Sequence, residues 1–447
     1  MPEYARDTIV AAATPPGKGG IGIVRISGDE TEKLATALLG DLPQPRLATS
    51  AKIHNQNGDE LDSGIALYFP GTASYTGESV LEFHGHGGPV VVSSIIDAAV
   101  ELGARRAEPG EFSKRAFLNG KLDLVQAEAI ADLIDSGTSQ AARAALRSLS
   151  GSFSQAVENL QQQLVNLRLH VEAAIDFPEE EIDFLSDREL LKKIDECAAA
   201  FAKLQRETNI GRVLRDGLQF VIVGKPNAGK SSLLNLLSGQ EAAIVTEVAG
   251  TTRDILRERI EIDGLSVELV DTAGLREDPD RIEAEGIRRA REALRNADGV
   301  LWIKDASAGE SGAPDEEIPE DIPVIVLRNK IDITDEAAGP REDEWHTLNV
   351  SAKTGAGIDE LRETIRRLAG YKDLGEGAFT ARRRHVDAIA LAAKHFVRGK
   401  EALDKDKAGE LFAEDLRLSH EALGEITGSF SSDDLLGRIF SEFCIGK

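Results

Sequence analysis

An apolar run that leads directly into a glycine-rich turn and a lysine limits the fold of this chain more than any other feature. Phe220 to Val223 predicts a buried strand, Gly224 to Ser231 follows it, and Leu233, Leu234 and Leu237 then repeat at helical spacing. Backbone N–H groups of such a loop turn onto phosphates, and Lys230 neutralises their charge. The segment therefore predicts a phosphate-binding loop between a strand and a helix of a parallel α/β domain.

A second strand carries the residues expected around a metal ion. Val267, Leu269 and Val270 predict a strand that ends in Asp271-Thr272-Ala273-Gly274. A carboxylate at the end of that strand can hold Mg²⁺ through its hydration shell, and Gly274 can contact the terminal phosphate. Ser231 in the loop and Thr252 in the segment Gly250 to Asp254 are the predicted Mg²⁺ ligands.

The base-reading motif distinguishes guanine from adenine. The strand predicted over Pro323 to Leu327 is followed by Asn329-Lys330-Ile331-Asp332. The Asp332 carboxylate can accept hydrogen bonds from the ring N–H and the exocyclic amine of guanine, which adenine does not offer in that arrangement. Ser351-Ala352-Lys353 supplies a backbone donor for the guanine carbonyl oxygen. Together with the phosphate loop, this motif predicts GTP as the substrate of a hydrolase.

The residue that would orient the attacking water is not a glutamine. Leu275 stands where Ras-like switches place that glutamine. Two alternatives remain from the residues alone: a cation between the phosphates, or an acid of the second switch. The candidate acids are Glu277, Asp278, Asp280, Glu283 and Glu285.

The 447 residues exceed what one hydrophobic core usually serves. Strand and turn patterns before residue 120 predict an α+β domain, helical spacing predicts a helical domain over 121–217 and 371–447, and 218–370 is the α/β segment. An α/β segment between two helical ones predicts an inserted domain. The predicted fold class is therefore a multidomain α/β protein with an inserted P-loop G domain, a parallel sheet with flanking helices.

Charge and cysteine content limit which binding partners and which cellular compartment we expect. The net charge of -25 argues against general binding to nucleic-acid phosphates, so any such contact is local. We favour a solvated helix start over a phosphate-contact patch for the basic cluster Arg382 to His385. The two cysteines, Cys197 and Cys444, are too few for a disulfide framework, which favours the cytoplasm, and no apolar run predicts a membrane span.

Several blocks resemble one family along essentially the whole chain. They are the phosphate loop, Gly250 to Asp254, Thr14-Pro15-Pro16-Gly17, His86-Gly87-Gly88-Pro89, Pro109-Gly110-Glu111-Phe112, Asp433 to Arg438 and the terminal Phe443-Cys444-Ile445-Gly446-Lys447. The chain is similar in these blocks to MnmE, also called TrmE, a family of tRNA-modification GTPases of bacteria and organelles. The resemblance implies a folate-binding N-terminal domain, a helical domain formed from both flanks and the inserted G domain.

The resemblance also implies ligands and roles, position by position. Potassium would be held by Asn227, Thr246, Val248 and Thr251, with Glu283 positioning the attacking water. A 5-formyltetrahydrofolate or related folate would be held by Arg25, Glu82, Lys121 and Lys447. Cys444 would serve the modification chemistry. The implied catalytic set is Glu283, Thr251, Lys230 and Cys444. The predicted GTP contacts are Asn227, Ala228, Gly229, Lys230, Ser231, Ser232, Thr246, Glu247, Val248, Ala249, Gly250, Thr251, Asp271, Thr272, Ala273, Gly274, Asn329, Lys330, Asp332, Ser351, Ala352 and Lys353.

The implied reaction adds an aminomethyl or carboxymethylaminomethyl group to C5 of the wobble uridine of certain tRNAs. A homodimer, paired G domains and a flavoprotein partner, MnmG, belong to the same expectation. The alternative is a GTPase switch in ribosome assembly, which would share the G-domain motifs. Such a switch would have no need of the folate-type residues or of Cys444.

Overall fold

The structure is a computed structural model that describes residues 7–176, 188–240, 257–262, 264–271, 292–295, 297–308, 318–320, 322–341, 346–368, 377–429 and 433–446. The chain divides into two compact units. The N-terminal unit contains Met1–Ala131 and His420–Lys447, and the central unit contains Asp132–Ser419. The predicted boundaries of the three domains stay a prediction.

A six-stranded sheet with the order β3-β4-β5-β2-β1-β6 forms the centre of the N-terminal unit. Its pairs are antiparallel except β1 with β6. The strands are β1 Ile9–Ala12, β2 Gly19–Ser27, β3 Thr49–His54, β4 Glu60–Phe69, β5 Val80–Gly87 and β6 Arg105–Arg106, and the first helices are α1 Thr31–Leu39, α2 Pro89–Glu101, α3 Glu111–Leu118 and α4 Leu124–Ile134.

The alternation of residues along β5 assigns the two faces of this sheet. Leu81 and Phe83 are buried in a core with residues of α1 and α2, such as Leu34 and Ile95. Successive side chains of a strand point to opposite faces, so Glu82 lies on the face away from that core. Its partner across the β2–β5 ladder is Arg25. The strand pattern thus brings a cation and a carboxylate together.

The C-terminal segment belongs to the same unit. α13, Asp433–Ser441, contributes Leu436, Ile439 and Phe440 to an apolar cluster with Leu124. Beyond it, Ile445 forms a bridge with Pro109, and a Cβ on Gly446 would lie 1.9 Å from the carbonyl oxygen of Ala12. Only a glycine allows the chain to pass so close to β1.

Long helices form the helical part of the central unit. They are α5 Ser139–Leu149, α6 Ser152–Asp176, α7 Arg188–Asp216, α11 Arg383–Asp406 and α12 Gly409–Thr427. Buried phenylalanines connect them: the ring centroids of Phe201 and Phe396 are 5.2 Å apart. The expectation of a solvated helix start at residues 382–385 is wrong, because Arg382 and His385 are buried and only Arg383 of the cluster is exposed.

A seven-stranded sheet with the order β12-β13-β11-β10-β7-β9-β8 forms the α/β part. β13, β11, β10, β7 and β9 are parallel, and the two edge strands are antiparallel. The strands are β7 Leu218–Val223, β8 Arg257–Ile262, β9 Leu265–Asp271, β10 Gly299–Asp305, β11 Val324–Asn329, β12 Gly339–Pro340 and β13 His346–Asn349; the helices are α8 Lys230–Gln240, α9 Ile331–Thr334 and α10 Ile358–Leu368.

Both faces of this sheet are buried in apolar clusters. Leu301 and Ile303 of β10 face one cluster, and Val300 and Trp302 face the other. Strands buried on both faces are typical of a parallel sheet covered by helices. The predicted fold class, a multidomain α/β protein with an inserted P-loop domain, is confirmed.

Candidate nucleotide site

The phosphate loop lies at the carboxyl end of β7, where its glycines permit close approaches. Gly224 has a φ of +147°, and a Cβ there would lie 2.4 Å from the carbonyl oxygen of Ile303. A Cβ on Gly229, whose φ is +100°, would lie 2.1 Å from the amide nitrogen of Asn329. A side chain at either position would separate the loop from the strands that support it.

Lys230 lies across this loop. Its side-chain ammonium donates hydrogen bonds to the carbonyl oxygens of Gly224, at 2.6 Å, and Lys225, at 3.0 Å. The residue is buried, with 8% of its surface exposed. The loop backbone therefore fixes the lysine charge at the place where phosphate oxygens are expected.

The first turn of α8 follows Lys230 directly. Ser231 and Ser232 are exposed there, and Ala228 before the helix is buried. A helix N-terminus offers N–H groups to an anion, and a hydroxyl beside it suits Mg²⁺. The exposed Ser231 therefore fits its predicted role as a metal ligand.

Asn329 connects the base-reading motif to the phosphate loop. Its side chain is buried, its amide donates to the carbonyl oxygen of Ala228 at 2.9 Å, and its amide oxygen accepts from the N–H of Ala352 at 2.9 Å. This asparagine joins the three loops that end β7, β11 and β13. Its side chain holds these loops together, and its contact with the guanine base, like that of Asp332, stays a prediction.

Asp332 is held by the third loop. The Ser351 hydroxyl donates to its carboxylate at 2.7 Å, and the Lys353 ammonium lies 3.9 Å from the other oxygen. Ser351 itself is fully buried. The carboxylate is thus oriented before any base is bound, which reduces the cost of ordering it on binding.

Lys330 adopts a left-handed backbone conformation with a φ of +69° and points its ammonium to Asp305, 2.5 Å away. Burial raises the pKa of Asp305, but the hydrogen bonds from Lys330 and Ser307 outweigh it and hold the pKa below its ordinary value. The ion pair links β10 to β11. This contact of Lys330 was missed by the motif analysis, because nothing in the sequence pairs residues 305 and 330.

Part of the predicted site lies outside the described residues. This holds for Thr246, Glu247, Val248, Ala249, Gly250, Thr251, Thr252, Thr272, Ala273, Gly274 and Glu283, and for the side chain of Asp271, whose backbone ends β9. The described part contains the phosphate loop and the base reader. These two elements lie at the carboxyl edge of one parallel sheet, as nucleotide sites of open α/β sheets do.

A second set of predicted residues lies in the N-terminal unit. Arg25 donates to Glu82 at 2.8 Å, and the two side chains are 21% and 18% exposed. The His84 ring nitrogen lies 3.3 Å from the other Glu82 oxygen. The guanidinium of Arg25 lies over the rings of Tyr75 and Phe112, at 5.4 and 5.6 Å from their centroids. Sequence reasoning missed both rings, which approach Arg25 only through the fold.

The resemblance also assigned Lys121 and Lys447 to the folate and Cys444 to the modification chemistry. The Lys121 ammonium donates to the carbonyl oxygen of Thr72, at 3.0 Å, in the loop that also carries Tyr75. Cys444 is exposed, and its carbonyl oxygen accepts from the N–H of Gly110 at 3.3 Å. Lys447 lies outside the described residues.

Among the described residues, no cluster of three or more His, Cys, Asp or Glu could hold a metal ion. None of the helices in the described ranges has the length and apolar character needed to cross a membrane.

Comparisons with known proteins cover nearly the whole chain. A family model described as the MnmE helical domain matches residues 124–444, and one described as the GTP-binding protein TrmE N-terminus matches residues 8–121. The tRNA modification GTPase MnmE of Stutzerimonas stutzeri (strain A1501) is 54% identical over 452 residues, which cover 99% of each chain. That of Erwinia tasmaniensis is 54% identical over 450 residues, again 99% of each chain.

Among solved structures, the G domain of the T. maritima FeoB iron transporter aligns with a TM-score of 0.24 and 23% identity, over 34% of this chain and 98% of that chain. This similarity is too low to add to the assignment. The full-length identity and the two family models decide it. The chain belongs to the MnmE family of tRNA modification GTPases and is a GTP-hydrolysing enzyme.

Proposed function

We propose that this chain couples GTP hydrolysis to the attachment of a folate-borne one-carbon unit at C5 of the wobble uridine of certain tRNAs. The product is an aminomethyl or carboxymethylaminomethyl uridine. The enzyme works in the cytoplasm as a homodimer, with the flavoprotein MnmG as its partner. That partner supplies the redox chemistry and much of the basic surface that a chain of net charge -25 lacks.

The observation that carries the folate part is the Arg25–Glu82 pair with two aromatic rings beside it. A pterin ring is flat and presents N–H groups that a carboxylate accepts, and the glutamate tail of a folate needs cations. Glu82, only 18% exposed, suits the first requirement, and Tyr75 and Phe112 supply flat apolar surface. Lys121 and Lys447 would hold the anionic tail. A bound folate supplies the one-carbon unit, and these residues bind and orient it.

The Arg25 and Glu82 side chains already form an ion pair with each other. A ligand therefore exchanges an existing ion pair for new hydrogen bonds, and its affinity depends on how well those bonds replace the pair. Cys444, exposed on the segment that passes β1, is the group we assign to the modification chemistry.

The hydrolytic part of the proposal uses a cation in place of an arginine finger. Asn227 is exposed in the phosphate loop, where its backbone has a φ of +66°, so its side chain is accessible to a cation. Thr246, Val248 and Thr251 complete the proposed potassium site, and Ser231 and Thr252 hold Mg²⁺. Glu283 positions the attacking water. Pairing of the G domains across the dimer closes the site and speeds hydrolysis.

The first experiment is a nucleoside profile of tRNA by mass spectrometry, from cells with and without this protein. The proposal expects aminomethyl-type wobble uridines to disappear without it and to return with the wild-type chain. They should not return with Cys444→Ser. An unchanged profile in cells that lack the protein would overturn the proposed modification chemistry.

Binding of 5-formyltetrahydrofolate to the purified full chain tests the Arg25–Glu82 pair directly. Arg25→Ala and Glu82→Gln should each weaken binding about tenfold or more, because each removes a charge-assisted hydrogen bond. Arg106→Ala, which removes an exposed arginine of the same unit whose partner is the exposed Asp97, is the matched control. Equal binding by all four proteins would exclude this pair as the folate site.

A salt comparison tests the cation. Hydrolysis should be much faster in potassium than in sodium and should rise with protein concentration as G domains pair. Equal rates in the two salts would exclude the potassium site. The acids of the second switch, or Arg253 or Arg276 as a source of positive charge at the phosphates, would then be the candidates for assisting hydrolysis.

A further inference from the structure

The chain passes from its longest helix into the phosphate-loop strand through one glycine. α7 ends at Asp216 and β7 begins at Leu218. Gly217 between them has a φ of +78°, and a Cβ there would lie 2.6 Å from the carbonyl oxygen of Ser266. So short a connection, packed against the start of β9, leaves little freedom between the helix and the strand.

An ion pair adds a second link at the same place. Arg212, in the last turn of α7, donates to Asp298 at 2.8 Å, and the two side chains are 23% and 21% exposed. The other Asp298 oxygen accepts from the N–H of Gln219 at 3.0 Å, and the N–H of Asp298 donates to the carbonyl oxygen of Gln219 at 2.8 Å. Asp298 therefore connects α7 to the beginnings of both β7 and β10.

The chain that returns from the α/β part is held tightly by the helices. The N–H of Thr380 donates to the Ser148 hydroxyl at 2.9 Å, and the Phe379 ring stacks on Phe153 at 4.4 Å. A Cβ on Gly211 of α7 would lie 2.5 Å from the carbonyl oxygen of Phe379. The returning segment is thus part of the helical core.

One carboxylate joins the outgoing and the returning chain. Asp132, whose side chain is 5% exposed, accepts at 2.8 Å from Arg215 of α7 and at 2.8 Å from Arg382. Arg215 follows Arg212 by three residues, so both project from neighbouring positions of the last helical turn. We call Asp132, Arg212, Arg215, Asp298 and Arg382 the junction.

The two halves of the junction differ in exposure, and the difference assigns their roles. Arg212 and Asp298 are each about one-fifth exposed, so water can replace their contact when they separate. Asp132 and Arg382 are almost fully buried, and separating them would leave charges without solvent. Of the two ion pairs, Asp132–Arg382 is therefore the one suited to stay closed, and Arg212–Asp298 is the one that can open at low cost.

We propose that the junction transmits the nucleotide state of the G domain to the helical part of the chain. The buried Asp132–Arg382 pair is its fixed pivot. Arg215, whose side chain is 31% exposed, connects α7 to that pivot, and Arg212–Asp298 is the switching contact. β7 leads into the phosphate loop, so a shift of that strand acts directly on α7. At 29 residues this helix is a lever about 44 Å long.

Hydrogen exchange of the full chain, with GDP and with a non-hydrolysable GTP analogue, tests the proposal. In the wild type, exchange in the peptide over residues 209–218 should differ between the two nucleotides. Arg212→Ala and Asp298→Asn should remove most of that difference, and Arg212→Lys should keep it. Asp132→Asn should raise exchange with either nucleotide, because it loosens the pivot.

Activity separates transmission from folding. For Arg212→Ala, the rate of GTP hydrolysis should stay within about twofold of the wild type, and tRNA modification per GTP hydrolysed should fall about fivefold or more. Arg168→Ala, which removes a similar exposed ion pair from α6, is the matched control and should change neither.

Two results would overturn the proposal. The first is identical exchange of the wild-type peptide with the two nucleotides. The second is a parallel fall of hydrolysis and modification in Arg212→Ala, which would give the pair a structural role only.

Discussion

The nucleotide site takes its side chains from loops that follow parallel strands, whereas the N-terminal sheet places Arg25 and Glu82 within two antiparallel strands. In the loops, the Lys230 ammonium donates to backbone carbonyl oxygens. When it binds a phosphate instead, it leaves only neutral carbonyl groups behind and no unpaired charge. In the sheet, the two charged side chains bind each other, so a ligand must replace that contact. The phosphate loop is thus suited to tight binding of an anion, whereas a ligand at Arg25 and Glu82 would bind only by displacing an existing ion pair.

The largest effect should come from the lysine of the phosphate loop. Lys230→Ala removes the charge that the loop holds in place, and GTP hydrolysis should fall by about a hundredfold to a thousandfold. Lys203→Ala, at an exposed position of α7, is the control for loss of a positive charge. A near-normal rate in steady-state hydrolysis with Lys230→Ala would show that the loop backbone alone suffices.

Asp332→Asn should change which base is read. The carboxylate accepts two N–H groups of guanine, and an amide offers one donor and one acceptor instead, so affinity for GTP should fall roughly a hundredfold. Affinity for xanthosine triphosphate should rise, because xanthine has a carbonyl in place of the exocyclic amine.

Competition binding with the two nucleotides measures this exchange of specificity. Asp359→Asn, on the highly exposed start of α10, is the control and should leave the preference for GTP unchanged. An unaltered preference in Asp332→Asn would place base recognition elsewhere in the site.

The difference between the loop site and the pair in the antiparallel sheet also explains which parts of the molecule the sequence predicts. The phosphate loop and the Asn329–Asp332 motif are each contiguous, and their strands are apolar runs, so residues alone indicate the fold of the G domain and the choice of GTP. The family resemblance, confirmed by the full-length identity, supplied Arg25 and Glu82. The strand register then brings them together across 57 positions of the chain.

Contacts between distant segments were not predictable. Asn329 supports the phosphate loop rather than acting only as a motif residue, and Arg382 is a buried partner of Asp132 instead of a solvated helix start. Both depend on which loops meet in the folded chain. Of the predicted potassium ligands only Asn227 lies within the described residues, whereas Thr246, Val248, Thr251 and Glu283 lie outside them. The potassium site and the folate contacts both stay a prediction.

A smaller effect is expected from a substitution in the C-terminal segment, which should change local hydrogen exchange but not GTP hydrolysis. In Gly446→Ala the added methyl would meet the carbonyl oxygen of Ala12 at 1.9 Å, and the φ of +97° disfavours any other residue. Hydrogen exchange in the peptide over residues 107–112 should rise about fivefold, since Gly110 donates to Cys444.

GTP hydrolysis by the same variant should be unchanged. Gly437→Ala is the matched control, because a Cβ there meets no atom within 4 Å. If Gly446→Ala slowed hydrolysis as strongly as it raised exchange, the two sites would not be independent.

The smallest expected effect is on the stability of the fold at low pH. The N-terminal unit contains a buried cluster of ion pairs, whereas the G-domain core is apolar. Arg115, 2% exposed, binds Asp7, Glu78 and Glu111. Burial raises the pKa of Glu111, but hydrogen bonds from Arg105, the Glu108 N–H and Arg115 outweigh it, so the pKa lies below its ordinary value. A carboxyl with a lowered pKa stabilises the fold above its unfolded pKa and loses that contribution as pH falls through its folded pKa.

The N-terminal unit should therefore lose stability as pH falls below about 4.5, and Glu111→Gln should lessen that pH dependence while lowering stability at neutral pH. Thermal unfolding of the full chain at several pH values, followed by hydrogen exchange in each unit, measures both. Glu101→Gln, an exposed glutamate at the end of α2, should reproduce the wild-type profile. If the stability of Glu111→Gln depended on pH as the wild type does, the Glu111 carboxylate would not be the source of the acid sensitivity. Asp7 would then be the candidate, because its pKa is also lowered, chiefly by its hydrogen bond from Arg105.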